Sequence, residues 1–491
     1  MRVLIYIEPH PIRDEYTIFN AIARRFLPLL GLQNGIEFRL YANGATFERI
    51  GISSPEGDTK RFIAPLEEDE ALLERHFKPW DKAGMPDWLD LMAGTGIARD
   101  YEALLERIWL RYRFDAVLYW GENGAVRNFC RTNGIMSMGM ELGCTRAPFV
   151  ETIAPDLLGT NGSAVPAQLS VSDLEEITGG QGLSAPDALA MFSRAETGDT
   201  WRAGFDLVAP PDLRAFLDRG RIAVLPLQLY DDANLLRFSP YGTVRDVVLD
   251  VVPKLAEAGW NVVVKPHPAS AVRGAAVTEN RIARDALAPW SDHLFWYEGS
   301  ETTSATLMSL ADLVVTVNSS VGFEALFYDR PVVVMGDAVY KPKGLFPTLD
   351  DVVREQVDWT AYARHAALLR QFMLGGYLQP DVMLRSRALL ERQVLLHWQL
   401  HRDGKTPREI AQAVYDANCH VSLARGRLHA LHALETEPAA KAPAQVGGVR
   451  SAMAQHGGAV GFVRAALSYL RRHGWAGVGH MWARLKRGGL R

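Results

Sequence analysis

Short apolar runs rich in β-branched residues recur along the chain, each followed by an amphipathic stretch. That alternation predicts parallel strands joined by helices. "RVLIYI" (2–7) reads as a strand and "EYTIFNAIARRFLPLL" as a helix. "EFRLYA" (37–42) is the next strand, followed by a charged, broken helical stretch over 67–110. "FDAVLYWG" (114–121) and "GIMSMGME" (134–141) add two more buried strands. These elements predict a doubly wound domain over residues 1–200. Residues 155–215 hold turn formers such as "TGGQG" and "APPD" and mark the crossing between domains.

The pattern restarts with "RIAVLPLQL" (221–229), the helix "GTVRDVVLDVVPKLAEAG", "NVVVKPHP" (261–268) and "HLFWYE" (293–298). It closes with "LVVTV" (313–317), the helix "VGFEALFY" and the run "VVVM". This predicts a second domain over 215–350. The fold class is therefore α/β, with two Rossmann-like domains facing across a cleft and a helical C-terminal extension, the architecture called GT-B and common among glycosyltransferases. Residues 351–434 read as helical and are expected to pack back across the domains, with a linker over 435–460 and a tail over 461–491.

Composition narrows the class. A chain of 491 residues with 48% hydrophobic and 22% charged residues is an ordinary soluble one of two or three domains. A formal charge of −4 gives no support to wholesale nucleic-acid binding. Cys130, Cys144 and Cys419 have no metal or redox spacing and read as reduced thiols in a cytosolic protein. Glu8 interrupts the first apolar run, which reads as a strand rather than a signal peptide. The expected location is cytoplasmic, peripheral to the inner membrane if the tail binds it. After Glu437 no acidic residue occurs, and Phe462, Val463, Ala466, Leu467 and Leu470 share a helical face with Arg464 and Arg471 on another. Trp475, Trp482, Arg484, Lys486 and Arg487 follow, a pattern that suits an anionic leaflet. Docking on the protein or another subunit is the other reading.

Five predicted strand ends carry candidate chemistry. "NSSVG" places Asn318, Ser319 and Ser320 at a helix N-terminus, where free N–H groups favour a phosphate and Gly322 allows close approach. A plain helix cap is the alternative there. In "KPHP", Lys265 to Pro268, two prolines aim His267 into the cleft as a phosphate donor or acid. "LQLYDDANL" offers Asp231 and Asp232, of which one faces solvent if the other faces the cleft as nucleophile or base. "MELGCTRAPF" offers Glu141 from the first domain, and "ETIAPDLLGTNGS" after it reads as a polar loop. "GDAVYKPKGL" offers Tyr340 to pack on a base or sugar.

These strings together, "VVVKPHP" and then "ADLVVTVNSSVGFEAL…RPVVVMGDAVY…GL", resemble the bacterial capsule polysaccharide synthesis and export family. The resemblance implies a retaining β-Kdo transferase that uses CMP-Kdo and needs no metal or other cofactor. Its partners would be that donor and a glycan or glycolipid acceptor of capsule, lipopolysaccharide or O-antigen. "QLYDD" matches the family's catalytic aspartate element and implies Asp232 as nucleophile. "ELG" implies Glu141 as the first-domain carboxylate, with Glu122 of "GENG" as the competing match. Lys265, His267, Asn318, Ser319, Ser320, Gly322 and Tyr340 would then hold the nucleotide. Other activated donors, a UDP-sugar or CDP-glycerol, fit the same cleft, as does a UDP-sugar epimerase. A non-catalytic subunit of an export complex is the alternative outside enzymes.

Overall fold

The first predicted strands form an eight-stranded mixed sheet in the computed structural model, which describes residues 1–7, 17–76, 84–146, 149–192, 210–272, 274–299 and 302–422. The linker over 435–460 and the basic tail fall outside the described residues. Seven of the eight strands are β1 (Arg2–Tyr6), β2 (Gly31–Gln33), β3 (Ile36–Tyr41), β4 (Phe62–Ile63), β5 (Ala116–Trp120), β6 (Met136–Leu142) and β7 (Thr152–Asp156), and the eighth comes from the C-terminal part of the chain. β3, β1, β5 and β6 lie side by side in parallel, as βαβ crossovers require. β7 turns back antiparallel against β6, pairing Glu141 with Ala154 and Leu142 with Ile153. The stretch read as a polar loop is thus partly a strand, "TIAPD", fully buried despite Pro155.

Valine builds the second sheet. β8 (Ile222–Pro226), β9 (Asn261–Lys265), β10 (Leu294–Trp296), β11 (Leu313–Thr316) and β12 (Val332–Val334) are all parallel, in the order β10-β9-β8-β11-β12. β8, β9, β11 and β12 are buried at every position, as strands covered by helices on both faces must be. The helix Val244–Glu257 buries Val247, Val248, Val251, Val252 and Leu255 on one such face. The other face merges with Phe149 and Ala154 of the first half into one apolar cluster. The two sheets therefore face each other across a cleft in the GT-B arrangement.

The chain then returns. The helix Trp359–Phe372 joins that shared cluster, and β13 (Gln379–Pro380) extends the first sheet beyond β7. The helix Arg387–Arg402 buries Leu390 and Val394 in the first core, whereas Pro407–Ser422 buries Ile410 and Val414 in the shared one. Within the described residues no helix is long and apolar enough to cross a membrane.

Candidate active site

In the second sheet the strand order reverses between β8 and β11, and ligands of open parallel sheets sit outside the carboxyl ends at such a point. A cavity of about 450 Å³ lies there. Its lining includes Gln228 and Asp232 after β8, Lys265 to Pro268 after β9, Asn318 to Val321 after β11 and Tyr340 after β12. The first sheet contributes Glu141, Gly143, Cys144 and Arg146 at the end of β6, and Asn161 beyond β7.

Of the two adjacent aspartates, Asp232 lines the cavity and Asp231, 7% exposed, does not. Asp232 also caps the helix Ala233–Arg237, its Oδ1 accepting the Asn234 N–H at 2.8 Å. Its Oδ2 accepts from Gln228 Nε2 at 3.2 Å. The Gln228 Oε1 in turn accepts the backbone N–H of Asn318 at 3.3 Å. One amide thus ties the aspartate to the "NSSVG" loop, which gives a physical reason for Gln four residues before Asp in "QLYDD". Asn234 closes the same network. Its carbonyl accepts from Asn318 Nδ2 at 2.9 Å, and its side chain accepts from Asn161 Nδ2 at 2.7 Å. That last bond crosses from the second half to the first, and Asn161 holds it at φ 49°, a left-handed conformation asparagine tolerates.

His267 is exposed at the cavity, between Pro266 and Pro268. Its Nδ1 accepts the Ala269 N–H at 3.1 Å, so in the neutral ring Nε2 carries the proton and is the donor. Lys265 is buried. Its ammonium donates to the Gly299 carbonyl and lies 4.2 Å from the Tyr297 ring centroid. Ser319 caps the helix Ser320–Ala325, its Oγ accepting the Val321 N–H at 3.4 Å, so the cap reading holds while the residue also lines the cavity. The Asn318 Oδ1 is buried without a hydrogen-bond partner.

Two expectations change here. Tyr340 lines the cavity but is 1% exposed, packed against Phe323 and Phe346, with its hydroxyl donating to the Ser319 carbonyl. A buried ring offers no face for a base to stack on; Tyr340 braces the loop instead. Gly322 does not line the cavity. A Cβ there would stand 2.5 Å from the Tyr340 hydroxyl and 2.7 Å from Thr316, so this packing by itself requires glycine.

Across the cleft, Glu141 is half-buried at the cavity, its Oε1 accepting the Leu142 N–H at 2.8 Å. Glu122 is not part of the lining. It is buried, pairs with Arg127, and accepts from the Thr160 N–H (2.8 Å), the Thr160 hydroxyl (2.9 Å) and the Ser163 hydroxyl (3.0 Å). It holds the loop that carries Asn161. Gly143 is fixed by the β6–β7 turn, where a Cβ would meet Thr152 Oγ1 at 2.2 Å. Sequence reading missed Arg146, whose guanidinium folds onto the Gly143 and Thr145 carbonyls. The Arg146 backbone N–H donates to Glu324 Oε1 at 2.8 Å. Burial pushes the Glu324 carboxyl up to about 8, and that N–H only partly opposes the rise. Burial likewise pushes the Cys144 thiol well above its ordinary range, which removes it as a ready nucleophile.

Residues 212–378, the whole second wall of the cavity, match the family described as capsule polysaccharide biosynthesis protein. The chain is 32% identical over 138 residues to the capsule polysaccharide export protein KpsS of Escherichia coli, covering 28% of this chain and 34% of that protein. It is 27% identical over 180 residues to protein FixF of Sinorhizobium fredii, covering 34% of this chain and 41% of that one. The chain thus spans well under half the length of these curated relatives. A solved structure, the beta Kdo 2,7 transferase of Thermosulfurimonas dismutans KpsC, aligns over 77% of this chain and 92% of its own at 14% identity, with a TM-score of 0.33.

Proposed function

We propose that this chain, whose second sheet carries the capsule polysaccharide biosynthesis segment, is a retaining, metal-independent glycosyltransferase. It transfers Kdo from CMP-Kdo to a glycan acceptor of capsule or lipopolysaccharide. One observation carries the reading: Asp232, Glu141, His267, Ser319 and Ser320 line a single cavity at the switch point between two facing sheets. The motifs "QLYDD", "KPHP" and "NSSVG" support the choice of donor.

Retention requires two displacements at the anomeric carbon. In the first, an Asp232 oxygen forms a bond to that carbon as the bond to the phosphate oxygen breaks. The hydrogen bonds from Asn234 and Gln228 orient the carboxylate and leave lone pairs on both oxygens. CMP departs with the bonding pair. Its growing charge meets the Nε2–H of His267, the hydroxyls of Ser319 and Ser320, and the positive end of the helix Ser320–Ala325. In the second step an acceptor hydroxyl displaces Asp232 and Glu141 takes its proton.

The test is direct. Purified protein with CMP-Kdo should release CMP, faster once an acceptor glycan is added. A thermal-shift panel should rank CMP above UDP and CDP; a preference for UDP would sink the Kdo reading and favour a UDP-sugar donor.

A further inference from the structure

We propose that a second, smaller cavity beside the first binds an acidic sugar of the acceptor through Lys341 and Lys343, an assignment that rests on the glycosyltransferase reading above. This cavity, about 280 Å³, is lined by residues that include Gly162, Gln168, Asp337, Lys341, Lys343 and Phe346. It adjoins the large one at two points. Asn161 lines the large cavity and its neighbour Gly162 the small one; Tyr340 lines the large and Lys341 the small. An acceptor must enter beside the donor, and this is where both halves of the chain meet at its rim.

The charges explain what would fit. Two lysines and one acidic residue, Asp337, line the space, so the lining itself carries one more positive than negative charge, while the Asp173 carboxylate acts on Lys343 from outside it. Lys341 is half-buried, and its ammonium makes one hydrogen bond, to the Gly336 carbonyl at 2.9 Å. Neither lysine forms an ion pair among the described residues. Desolvation lowers the pKa of Lys341 and the Asp337 charge opposes it. Asp337 offsets part of that desolvation without forming an ion pair, and an arriving anion would offset more of it. Lys343 is exposed, and its backbone N–H is pinned to the Leu169 carbonyl at 2.8 Å, which fixes the main chain from which its side chain reaches the cavity lining. Half-buried Phe346, stacked edge-on against Tyr340, adds an apolar patch of the kind a sugar ring packs on. The volume suits one ring with its acid group. A carboxylate or a phosphate would serve equally, since both present oxygens to two ammonium groups.

Ligand-observed saturation-transfer NMR on the full chain tests this, with CMP in excess to fill the large cavity. The probes are glucuronate, glucose 6-phosphate and glucose; the variants are Lys343→Glu and Lys343→Ala, with Lys341→Gln as a third. At least one acidic sugar should bind and glucose should not. Lys343→Glu should weaken acidic-sugar binding roughly tenfold or more, with Lys343→Ala and Lys341→Gln less affected. Glucuronate alone binding identifies a carboxylate, and glucose 6-phosphate alone a phosphate. Acidic sugars that bind all proteins equally, or that do not bind the wild type, overturn the assignment. The CMP signal is read in the same samples. Its absence defeats the donor reading independently of the subsite result.

Discussion

The two walls of the large cavity are built by different rules. The second wall belongs to an all-parallel sheet, so β8, β9, β11 and β12 all end at the same edge and deliver their following loops to one place. Each loop can be a short independent motif, because the sheet does the convergence. The first wall is mostly the turn after β6, with Asn161 added from beyond β7. β6 runs to Leu142 and the chain folds back as β7, so Glu141, Gly143 and Arg146 reach the cavity from one hairpin. Gly143 meets Thr152 so closely that the hairpin tolerates no side chain there. A wall assembled from several loops separates binding from chemistry, whereas a wall made mostly by one turn ties position, packing and charge together.

The largest expected effect comes from the second wall. Asp232→Asn keeps an oxygen to cap the helix Ala233–Arg237 but removes the nucleophile. CMP release from CMP-Kdo should fall roughly 10³-fold or more, with thermal stability and CMP binding nearly unchanged. Full activity in Asp232→Asn would transfer the chemistry away from that wall. Glu141→Gln addresses the other side. If it supplies the acceptor's base, transfer should drop about 100-fold while CMP affinity stays the same. Glu122→Gln should act differently: it weakens the hold on Thr160 and Ser163, and so should appear first as a lower Tm. If Glu122→Gln instead lost activity with Tm unchanged, the choice of Glu141 would be wrong.

The same contrast decides what the sequence makes legible. Runs such as "LVVTV" and "NVVVK" announce strands buried on both faces, and their ends locate His267, Asn318 and Asp232. β7 was hidden because Pro155 and the polar residues after it are turn signals, and only antiparallel pairing with β6 makes "TIAPD" a strand. Arg146 lay inside a quoted motif without a role, since nothing in its spacing shows that its backbone meets Glu324 across the chain. Choosing between Asp231 and Asp232, or Glu122 and Glu141, requires knowing where a side chain points, which composition does not encode. The loops that carry Gly322 and Tyr340 are legible in the sequence, but the contact between the two residues is not. Their mutual packing is a tertiary fact between residues on different elements.

Glu324, on the second-wall helix Ser320–Ala325 and bonded to the Arg146 N–H of the first, makes the join between the two walls pH-dependent. Its carboxyl is raised from an ordinary 4.5 to about 8 by burial, so the folded protein holds a proton that the unfolded chain releases. That contribution is present in full below the unfolded value, shrinks as pH rises, and is gone above about 8. Glu324→Gln removes the titration. Between pH 5 and 8.5 the wild-type Tm should fall several degrees relative to the variant's, which keeps the decline from Asp156, raised to about 6 by burial, and the opposing rise from buried His397, lowered to about 4. Parallel Tm curves for the two proteins would show that Glu324 is ionised as it lies against Arg146.

The smallest effect separates the two readings of "NSSVG" within one pair of serines. Ser319 caps the helix through a long bond to the Val321 N–H, so Ser319→Ala should cost up to about 1 kcal/mol of stability whatever the loop binds. The Ser320 hydroxyl, by contrast, makes no hydrogen bond among the described residues, although it lines the cavity. Ser320→Ala therefore removes nothing from the fold, and its Tm should match the wild type's. If the hydroxyl meets a phosphate oxygen, CMP should bind that variant about two- to tenfold more weakly, the worth of one hydrogen bond. Isothermal titration with CMP reads this beside cytidine, which lacks the phosphate and should bind both proteins alike. Equal loss for cytidine would move Ser320 to the base or ribose, and no loss for either would leave the loop as a cap alone.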